Sequence, residues 1–441
     1  MERILIGELG AHTGKTVSIE GWVDVRRDQG KMVFFDFRDR SGFVQGVVLP
    51  ASEAMAVAKE TRGEYVVRVT GVVNKRPEKN VQSGKQNGDI ELEIGAIEVL
   101  SAAAPLPFEL SEALNLDTYL DHLPLTLRTP LARATFTAQA KIIEAFRATL
   151  SLQGFTEFQS PALVGGDAEG GAAVFPVEYY YGKRAYLASS PQRYKQIMVG
   201  VLERVFSTPK VFRAEKSATT RHLSEYSTLD FEMGFIKDHT DVMAVIEKVV
   251  RAMCTAVPAE AYALAKTEAP QLSGKPFPVL KLREAQKILW VGEEPDLEPE
   301  HERAICEWAK KEHGSDFVFI THYPVSKRPF YVYEDEEDPG YTKSFDLLFR
   351  GLEISTGGQR IHNYDALVAK AKAKGLDPDN FTFYLTAFKY GMPPHGGAAI
   401  GLERFTARVL NIPNVKEATL FPRDLNRIDT LLTAGEEKEA P

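Results

Sequence analysis

Two runs of alternating apolar and polar residues flank a polar loop between residues 211 and 235, and they limit what this chain can fold into more than any other feature. The stretch reads VFRAEKSATTRHLSEYSTLDFEMGF. Such alternation is typical of strands with one buried face, so it predicts an antiparallel strand pair with a long connection. Arg213, Glu215, Asp230 and Glu232 are then strand residues. Their mixed charges either pair across a solvated sheet face or line a binding site.

The first hundred residues predict a closed five-stranded barrel of the OB type. Residues 17–49 alternate strongly, the helical pattern ASEAMAVAKE follows, and YVVRVTGVVNK and DIELEIGAIEVL supply two further strands. Such barrels often bind single-stranded nucleic acid with exposed aromatic and cationic side chains. The candidates for that face are Arg26, Phe34, Arg38 and Gln45. Some of the neighbouring phenylalanines must instead fill the barrel.

The rest of the chain predicts a separate α+β domain. The linker-like SAAAPLPFEL ends the barrel pattern, so we expect a barrel over residues 1–103, a linker over 104–125, the large domain over 126–430 and a polar tail over 431–441. A long helix over ATFTAQAKIIEAFRATLSLQG and a strand over FTEFQSPALV follow the linker. The glycine-rich GGDAEGG, which contains Glu169, is either a plain connection or a closing loop.

Charge and cysteine content narrow the class of protein. A formal charge of -8 argues against general coating of nucleic acid, although it permits a local positive groove. The two cysteines lie far apart without a metal-binding or disulfide pattern. The N-terminus lacks a signal-peptide pattern, and no apolar run approaches the roughly 20 residues that span a bilayer. We therefore expect a cytoplasmic protein that does not enter the membrane.

Two carboxylates in SFDLLFRGLEISTGGQR are candidates for metal binding. Asp346 and Glu353 are seven residues apart, and Arg360 follows seven residues later. On adjacent strands joined by a turn, the carboxylates can hold Mg2+ against phosphates while the arginine binds a carboxylate through two hydrogen bonds. A salt-bridged sheet is the simpler interpretation of these three residues taken alone.

Two further motifs carry polar groups at helical spacing. PPHGGAAIGLERF predicts a glycine-rich turn that leads into a helix beginning near Ile400, with Arg404 in its first turns, an arrangement suited to a triphosphate. SPQRYKQ predicts that Gln192 and Lys195 share one face of a helix. A tight turn and an ordinary amphipathic helix are the simpler interpretations.

Together these motifs resemble those of the class II aminoacyl-tRNA synthetases. FRAE…TTRH is similar to motif 2 of that family, GLERF to motif 3 and LQGFTEFQSP to motif 1. Within the family the chain resembles the aspartyl enzymes of the compact archaeal type, which also occur as a second enzyme in some bacteria. The resemblance covers residues 1 to about 430. It implies ATP, Mg2+, L-aspartate and tRNA as ligands, and a homodimer built on LRTPLARATFTAQAKIIEAF and the strand ending at Pro161.

The resemblance also implies a role for individual residues. The implied catalytic residues, at the α-phosphate and the γ-phosphate end of ATP, are Arg213 and Arg404. The implied ATP-binding residues are Arg213, Glu215, Arg221, His222, Tyr226, Glu353 and Arg404. The implied aspartate-binding residues are Glu169, Gln192, Lys195, Arg213, Asp230, Ser355 and Arg360. The implied metal ligands are Asp346 and Glu353, and the implied anticodon contacts are Asp24, Arg26, Phe34 and Gln45.

The choice of amino acid depends on Lys195 and Arg360, because two cations that face a side-chain carboxylate match asparagine poorly. An asparaginyl enzyme, a tRNA-independent amino acid ligase and an RNA-binding relative without catalysis remain alternatives. The barrel argues against the ligase, and the intact set of charged residues argues against loss of catalysis. The chain departs from the family at Ser189, where glutamine is usual, and in GGAAIG, which lacks an aromatic residue.

The range of tRNA substrates depends on the barrel. Asp24 lies where relatives carry Trp, His or Asn, and the loop KRPEKNVQSGKQNG is longer than usual. Both features favour relaxed recognition of the third anticodon base, so we expect tRNA(Asn) as well as tRNA(Asp) to be charged.

Overall fold

The computed structural model describes residues 1–110, 114–166, 173–216 and 219–432. These residues form two compact units, one within residues 1–112 and the other within residues 113–441. The division falls inside the stretch expected to be a linker. None of the helices in the described ranges is both long enough and apolar enough to cross a membrane.

The first unit is a closed barrel of five strands in the order β1-β2-β3-β5-β4. Its strands are β1 (Thr16–Asp28), β2 (Val33–Asp39), β3 (Gly42–Val48), β4 (Val66–Lys75) and β5 (Ile90–Ser101). Helix α1 (Met55–Glu60) connects β3 to β4. The predicted OB barrel, with its helix after the third strand, is confirmed.

Alternation along β2 decides which phenylalanines fill the barrel. Val33, Phe35 and Phe37 are completely buried, and the rings of Phe35 and Phe37 stack with centroids 5.3 Å apart. Phe34 is only partly buried. Because successive strand residues point to opposite faces, Phe34 lies on the outside of the barrel.

The second unit is built around a mixed sheet of nine strands, eight of them in the order β13-β14-β15-β16-β17-β12-β10-β6, with β11 paired to β12. A separate sheet has the order β7-β9-β8. The strands are β6 (Thr156–Glu157), β7 (Leu163–Val164), β8 (Pro176–Tyr179), β9 (Lys183–Leu187), β10 (Arg204–Ser207), β11 (Lys210–Phe212), β12 (Glu225–Gly234), β13 (Val279–Lys281), β14 (Phe317–Thr321), β15 (Ser344–Phe349), β16 (Leu352–Arg360) and β17 (His395–Gly401).

Helices accompany these sheets along the second unit. They are α2 (Leu116–Asp121), α3 (Leu123–Thr126), α4 (Pro130–Leu152), α5 (Gln192–Leu202), α6 (His239–Ala256), α7 (Ala259–Leu264), α8 (Leu282–Ile288), α9 (Pro299–His313), α10 (Tyr364–Ala373), α11 (Thr382–Lys389) and α12 (Leu402–Val409). This arrangement is the α+β fold expected for the large domain.

Helix α4 shows how local sequence and packing agree. The Thr129 hydroxyl caps it by accepting a hydrogen bond from the Ala132 N–H, and Pro130 occupies the first turn, where its missing N–H costs nothing. Its apolar face is buried, and Phe146 packs edge-to-face against Phe206 of β10 at 5.8 Å. The helix therefore covers the central sheet with the stripe that its sequence predicts.

Three local predictions were wrong. Strand β11 ends at Phe212, so Arg213 and Glu215 lie in the loop after it, whereas Asp230 and Glu232 do lie on β12. FTEFQSPALV forms two strands of only two residues each, β6 and β7, because its two ends pair in different sheets.

The third wrong prediction concerns HGGAAIG, which is strand β17 and not a turn. Its glycines are needed because neighbouring strands approach closely, and a Cβ on Gly397 would lie 2.1 Å from a carboxylate oxygen of Glu232. Helix α12 begins at Leu402, two residues after the predicted start, and Arg404 is in its first turn as expected.

Candidate active site

A cavity of about 460 Å3 lies in the second unit and is lined by residues of β12, β16, β17, α5 and α12. Tyr226, Thr228 and Asp230 alternate along β12, so they share the face that borders it. The implied ATP and aspartate residues that line the cavity are Gln192, Lys195, Arg213, Glu215, Arg221, His222, Tyr226, Asp230, Glu353, Ser355, Arg360 and Arg404. Glu169 lies outside the described residues.

Four buried charges form a network at one end of the cavity. Lys195 Nζ donates to Asp230 Oδ1 at 2.9 Å and lies 3.4 Å from Glu232 Oε2. Arg360 donates from Nε to Glu232 Oε1 and from Nη2 to the Gly397 carbonyl oxygen, both at 2.9 Å. Burial opposes ionisation of Glu232, but Arg360 and then Lys195 offset it and lower the pKa of this carboxyl.

This network adds to the expectation that Lys195 and Arg360 face a substrate carboxylate. Each of the two cations already has a carboxylate partner within the protein. Glu232, which was assigned no individual role in the site from the sequence, is therefore part of this network. Its spacing of two residues from Asp230 on one strand was the signal, because residues i and i+2 share a face.

Three buried polar atoms beside this network have no hydrogen-bond partner among the described residues. They are Gln192 Nε2, Asp230 Oδ2 and Ser355 Oγ. A buried polar group without a partner is costly, so these atoms fit a ligand that supplies both donors and acceptors. The α-amino and α-carboxylate groups of an amino acid supply both.

The opposite part of the cavity is cationic. Burial, and after it the charge of Arg404, lowers the pKa of His222, and Arg221 and Arg213 add to the effect while Glu215 opposes it. Arg213, Arg221 and Arg404 bring three positive charges to this part of the cavity, and their field favours anions. Such a field suits an anion with several charges, such as a polyphosphate.

Arg213 bridges an acidic and an aromatic neighbour at the mouth of this region. Its Nη1 lies 3.6 Å from Glu215 Oε1, and its guanidinium lies over the Tyr226 ring, 5.8 Å from the centroid. An aromatic face beside a guanidinium can hold a flat base by stacking.

The implied metal ligands lie together on β15 and β16. The Thr356 hydroxyl contacts Asp346 and lies 3.1 Å from Glu353 Oε1. Burial and the neighbouring Asp346 charge raise the pKa of Glu353. A divalent cation between the two carboxylates would offset the unfavourable charge on Glu353.

No group of three or more metal-ligating side chains occurs in the described ranges. The carboxylate pair therefore suits Mg2+, which is usually held by one or two carboxylates together with phosphate oxygens and water.

Two charged residues around the carboxylate pair were missed from the sequence. Arg328, in the loop after β14, donates from Nη2 to Asp346 Oδ2 at 2.8 Å. Glu302, in the first turn of α9, lies 3.4 Å from Nη1 of Arg221. Neither residue belongs to a periodic pattern that points to the site, and both reach it from segments distant in the sequence.

In the barrel, the structure brings together only some of the implied anticodon residues. Phe34 lies diagonally across from Gln45 on the outer face, because Asp36 is opposite Gln45 in the register. Arg26 is opposite Phe35 and donates to the Ala58 and Lys59 carbonyl oxygens at 3.1 and 3.2 Å. Arg26 therefore lies on a different face from Phe34.

Arg38 is not an exposed cation, contrary to the expectation. It is 4% exposed and donates from Nη2 to both oxygens of Glu64, at 2.6 and 2.8 Å. Its Nε lies 3.3 Å from Asp24, which occupies an irregularity of β1 between Val23 and Val25. Asp24 thus belongs to a charged cluster at the barrel surface.

Comparisons with known proteins identify the family. Residues 115–425 match the model of the tRNA synthetases class II (D, K and N), and residues 17–100 match the OB-fold nucleic acid binding domain. The chain belongs to the class II tRNA synthetases. Enzymes of this family use ATP with a divalent metal ion and bind tRNA and an amino acid.

Full-length relatives refine this assignment. The aspartate–tRNA(Asp/Asn) ligase of Thermus thermophilus is 45% identical and covers 97% of this chain and 99% of its own. The aspartate–tRNA(Asp) ligase of Pyrococcus horikoshii is 37% identical, and the match covers 94% of this chain and 96% of the relative.

Solved structures agree with the fold. A putative aspartyl-tRNA synthetase from Leishmania major superposes with a TM-score of 0.87 at 30% identity, covering 97% of this chain and 94% of its own. The asparaginyl-tRNA synthetase of Pyrococcus horikoshii, complexed with asparaginyl-adenylate, has a TM-score of 0.85 at 32% identity, covering 97% and 99%.

Proposed function

We infer that this chain activates L-aspartate with ATP and transfers the aspartyl group to the 3′ end of tRNA(Asp). The observation that carries the inference is a single cavity with two different ends. The end near Arg213 and Arg404 is cationic, and the other contains the network of Lys195, Asp230, Glu232 and Arg360. Family membership and the aspartate ligases among the relatives support the same reaction.

In the first step an oxygen of the aspartate α-carboxylate attacks the α-phosphorus of ATP. A carboxylate–phosphorus bond forms, the bond to the bridging oxygen breaks, and pyrophosphate leaves with its electron pair. Arg213 and Arg404 stabilise the charge that develops on the phosphate oxygens, because guanidinium groups held in advance need no reorganisation during the reaction. In the second step a terminal ribose hydroxyl of tRNA attacks the activated carbonyl and AMP leaves, a step that depends mainly on positioning.

We propose Mg2+ as the metal, held by Asp346 and Glu353. The ion supplies charge neutralisation for the phosphates. Thr356 and Arg328 keep the two carboxylates in place through the contacts described above.

The choice of aspartate over asparagine follows from the two buried cations. We propose that Lys195 and Arg360 bind the side-chain carboxylate of the substrate, while Asp230 and Glu232 hold them in position. An asparagine amide would present N–H donors to cations that can only donate, which leaves buried groups unpaired. A similar fold occurs in an asparaginyl-tRNA synthetase complexed with asparaginyl-adenylate, so we propose that the charges of the site, and not the fold, select aspartate.

Pyrophosphate exchange with each amino acid tests this proposal. We expect exchange with aspartate and less than one hundredth of that rate with asparagine. If asparagine were the better substrate, the aspartyl assignment would be replaced by the asparaginyl one.

We further propose that both tRNA(Asp) and tRNA(Asn) are charged with aspartate, in which case the second product requires a separate amidotransferase. The relatives at 45% and 41% identity carry the dual designation Asp/Asn, and the Pyrococcus relatives at 37% are named for tRNA(Asp) alone. The Phe34 and Gln45 face of the barrel is proposed as the anticodon contact, since unstacked loop bases are what proteins read in RNA.

A homodimer and a cytoplasmic location complete the proposal. Pro161, which ends the segment similar to motif 1, forms an exposed apolar run with Ala162 and Leu163, and Leu131 at the start of α4 is 42% exposed. An exposed apolar surface of this kind suits a second copy. Solution scattering at micromolar concentration tests the dimer, which a monomeric mass would contradict. The cytoplasm follows from the reaction, because ribosomes consume charged tRNA there.

A further inference from the structure

Three consecutive tyrosines at the tip of the β8–β9 hairpin take no part in the cavity. Tyr179, Tyr180 and Tyr181 are 50%, 74% and 99% exposed. The rings of Tyr179 and Tyr180 meet edge-to-face with centroids 5.0 Å apart. Aromatic rings are usually well buried, so a cluster at one exposed turn points to a binding role.

The turn holds the third ring away from the protein. Tyr181 has φ 61° and ψ 31°, and Gly182 follows with φ 67°. Tyr179 pairs with Lys183, so three residues connect the strands, and the last two have positive φ, a backbone that is unfavourable for a bulky residue such as tyrosine. The chain tolerates this backbone and so presents the ring of Tyr181 to solvent.

Two cations follow the tyrosines on β9. Lys183 is opposite Tyr179 in the register and Arg184 is opposite Glu178, and both cations are exposed. Neither cation forms an ion pair with another described residue. Aromatic rings with cations beside them are the arrangement with which proteins bind single-stranded nucleic acid, because bases stack on the rings while the cations contact phosphates.

The residues that directly follow β9 form part of the wall of the cavity. The Ala188 carbonyl, directly after β9, accepts a hydrogen bond from the Phe212 N–H at 2.9 Å, and Ser189 and Ser190 line the cavity. At about 3.3 Å per residue, the strand extends the tip roughly 20 Å from this wall.

We propose that Tyr180 and Tyr181, with Lys183 and Arg184, bind the acceptor end of the tRNA by stacking on its unpaired bases and contacting its phosphates. This proposal rests on the proposed function, because it takes tRNA as the molecule whose terminal ribose enters the cavity. It adds a contact outside the cavity that the reaction with ATP and aspartate does not need.

The test compares the Tyr180→Ala/Tyr181→Ala double variant with Tyr180→Phe/Tyr181→Phe. We expect aspartate-dependent pyrophosphate exchange to be unchanged in both, since that step does not involve tRNA. The alanine variant should lose ten-fold or more in aminoacylation kcat/KM for tRNA and in filter-binding affinity for the same transcript, as expected for lost stacking of one or two bases. The phenylalanine variant should stay near wild type, because its rings still stack.

Trp290→Ala provides a matched control, since Trp290 is 95% exposed and follows α8, far along the chain from the hairpin. It should leave tRNA binding unchanged. Lys183→Gln/Arg184→Gln should reduce the slope of log affinity against log salt by about 1.4, because each neutralised phosphate of a single strand contributes about 0.7.

Unchanged tRNA affinity in the alanine variant would overturn the proposal. A change from dimeric to monomeric mass in that variant would also overturn the proposal, because it would mean that the tyrosines lie at the interface between two copies of the chain. A wild-type chain that shows no aspartate-dependent exchange, while the alanine variant still loses tRNA affinity, would overturn the proposed function and support the hairpin contact.

Discussion

Lys195 donates a hydrogen bond to Asp230 over 2.9 Å, and the two side chains are only 1% and 2% exposed. The lysine is therefore a structural cation as well as a proposed substrate contact. Removal of one member of a buried ion pair leaves the other charge without compensation, which is costly.

We expect Lys195→Met to lower the free energy of unfolding by about 3–5 kcal/mol, the usual effect of breaking a buried pair. It should also raise the KM for aspartate at least ten-fold more than the KM for ATP, because only aspartate has a carboxylate directed at this position. Urea unfolding and pyrophosphate exchange measure the two effects. Lys141→Met is the control, since Lys141 is 51% exposed and pairs with Glu144 on the surface. Equal effects of the two substitutions would contradict the buried role.

Arg213→Ala and Arg404→Ala should each reduce aspartate-dependent pyrophosphate exchange at least one-hundred-fold. A donor directed at developing charge is worth about 3 kcal/mol, and each of these guanidinium groups lines the cationic end of the cavity. The circular dichroism spectrum should be unchanged, because both residues are only partly buried. Arg147→Ala, which removes a 46% exposed arginine of α4, should keep full activity. Near-normal exchange in either site variant would refute its catalytic role.

Features set by local sequence could be predicted, and features set by distant neighbours could not. Alternation was sufficient to predict the barrel and to predict that Asp230 and Glu232 lie on a strand, because burial of one sheet face imposes a period of two. Strand β17 was interpreted as a turn, since its glycines are explained by residues that approach closely from other elements, such as Gly358 at Gly396 and Glu232 at Gly397.

The residues of the candidate site likewise divide into those that could be predicted and those that could not. The cavity-lining residues that were assigned to ATP and aspartate lie in motifs that the sequence displays. Arg328 and Glu302 reach the site from a loop and from the start of α9, and their importance depends on Asp346 and Arg221 being nearby. The pairing of Lys195 within the protein was also hidden, because contact between α5 and β12 is a property of the tertiary structure.

Glu353→Gln should increase the Mg2+ concentration needed for half-maximal exchange by ten-fold or more. A neutral amide oxygen binds a hard cation more weakly than a carboxylate does. The same substitution should not destabilise the protein, because it removes the repulsion from Asp346 that contributes to the raised pKa of Glu353. A magnesium titration and a thermal unfolding curve test both statements. Loss of stability together with an unchanged magnesium requirement would argue that Glu353 has a structural role only.

Glu302 should make stability depend on pH near neutrality. Burial, and after it the Glu353 charge, raises the pKa of Glu302 from 4.5 to about 7. The folded state then binds a proton more tightly than the unfolded state, so stability falls as pH rises from about 4.3 to about 7. Between pH 5 and pH 8 the free energy of unfolding of wild type should therefore fall by about 1–3 kcal/mol relative to Glu302→Gln.

Urea unfolding at the two pH values measures this difference. Glu300→Gln is the control on the same helical turn, because Glu300 is 75% exposed. Parallel pH dependence of wild type and Glu302→Gln would exclude Glu302 as the titrating group.

The last prediction concerns the range of tRNAs. The anticodons of tRNA(Asp) and tRNA(Asn) differ at the third base, C against U, so strict rejection requires a buried group that pairs with one base and is left unpaired by the other. Asp24 could accept a hydrogen bond from the cytosine amino group, but its carboxylate lies 3.3 Å from Arg38, which Glu64 also holds. A carboxylate that already contacts a guanidinium gains less from a hydrogen bond with the cytosine. We therefore expect the two transcripts to be charged with efficiencies within one-hundred-fold of each other. Both should be measured at one salt concentration, because phosphate contacts make affinity salt-dependent. Asp24→Trp should then sharpen the choice by adding a rigid surface at this position. A wild-type preference for tRNA(Asp) above one-hundred-fold, about 2.7 kcal/mol, would instead identify a strict enzyme in which the substitution changes little.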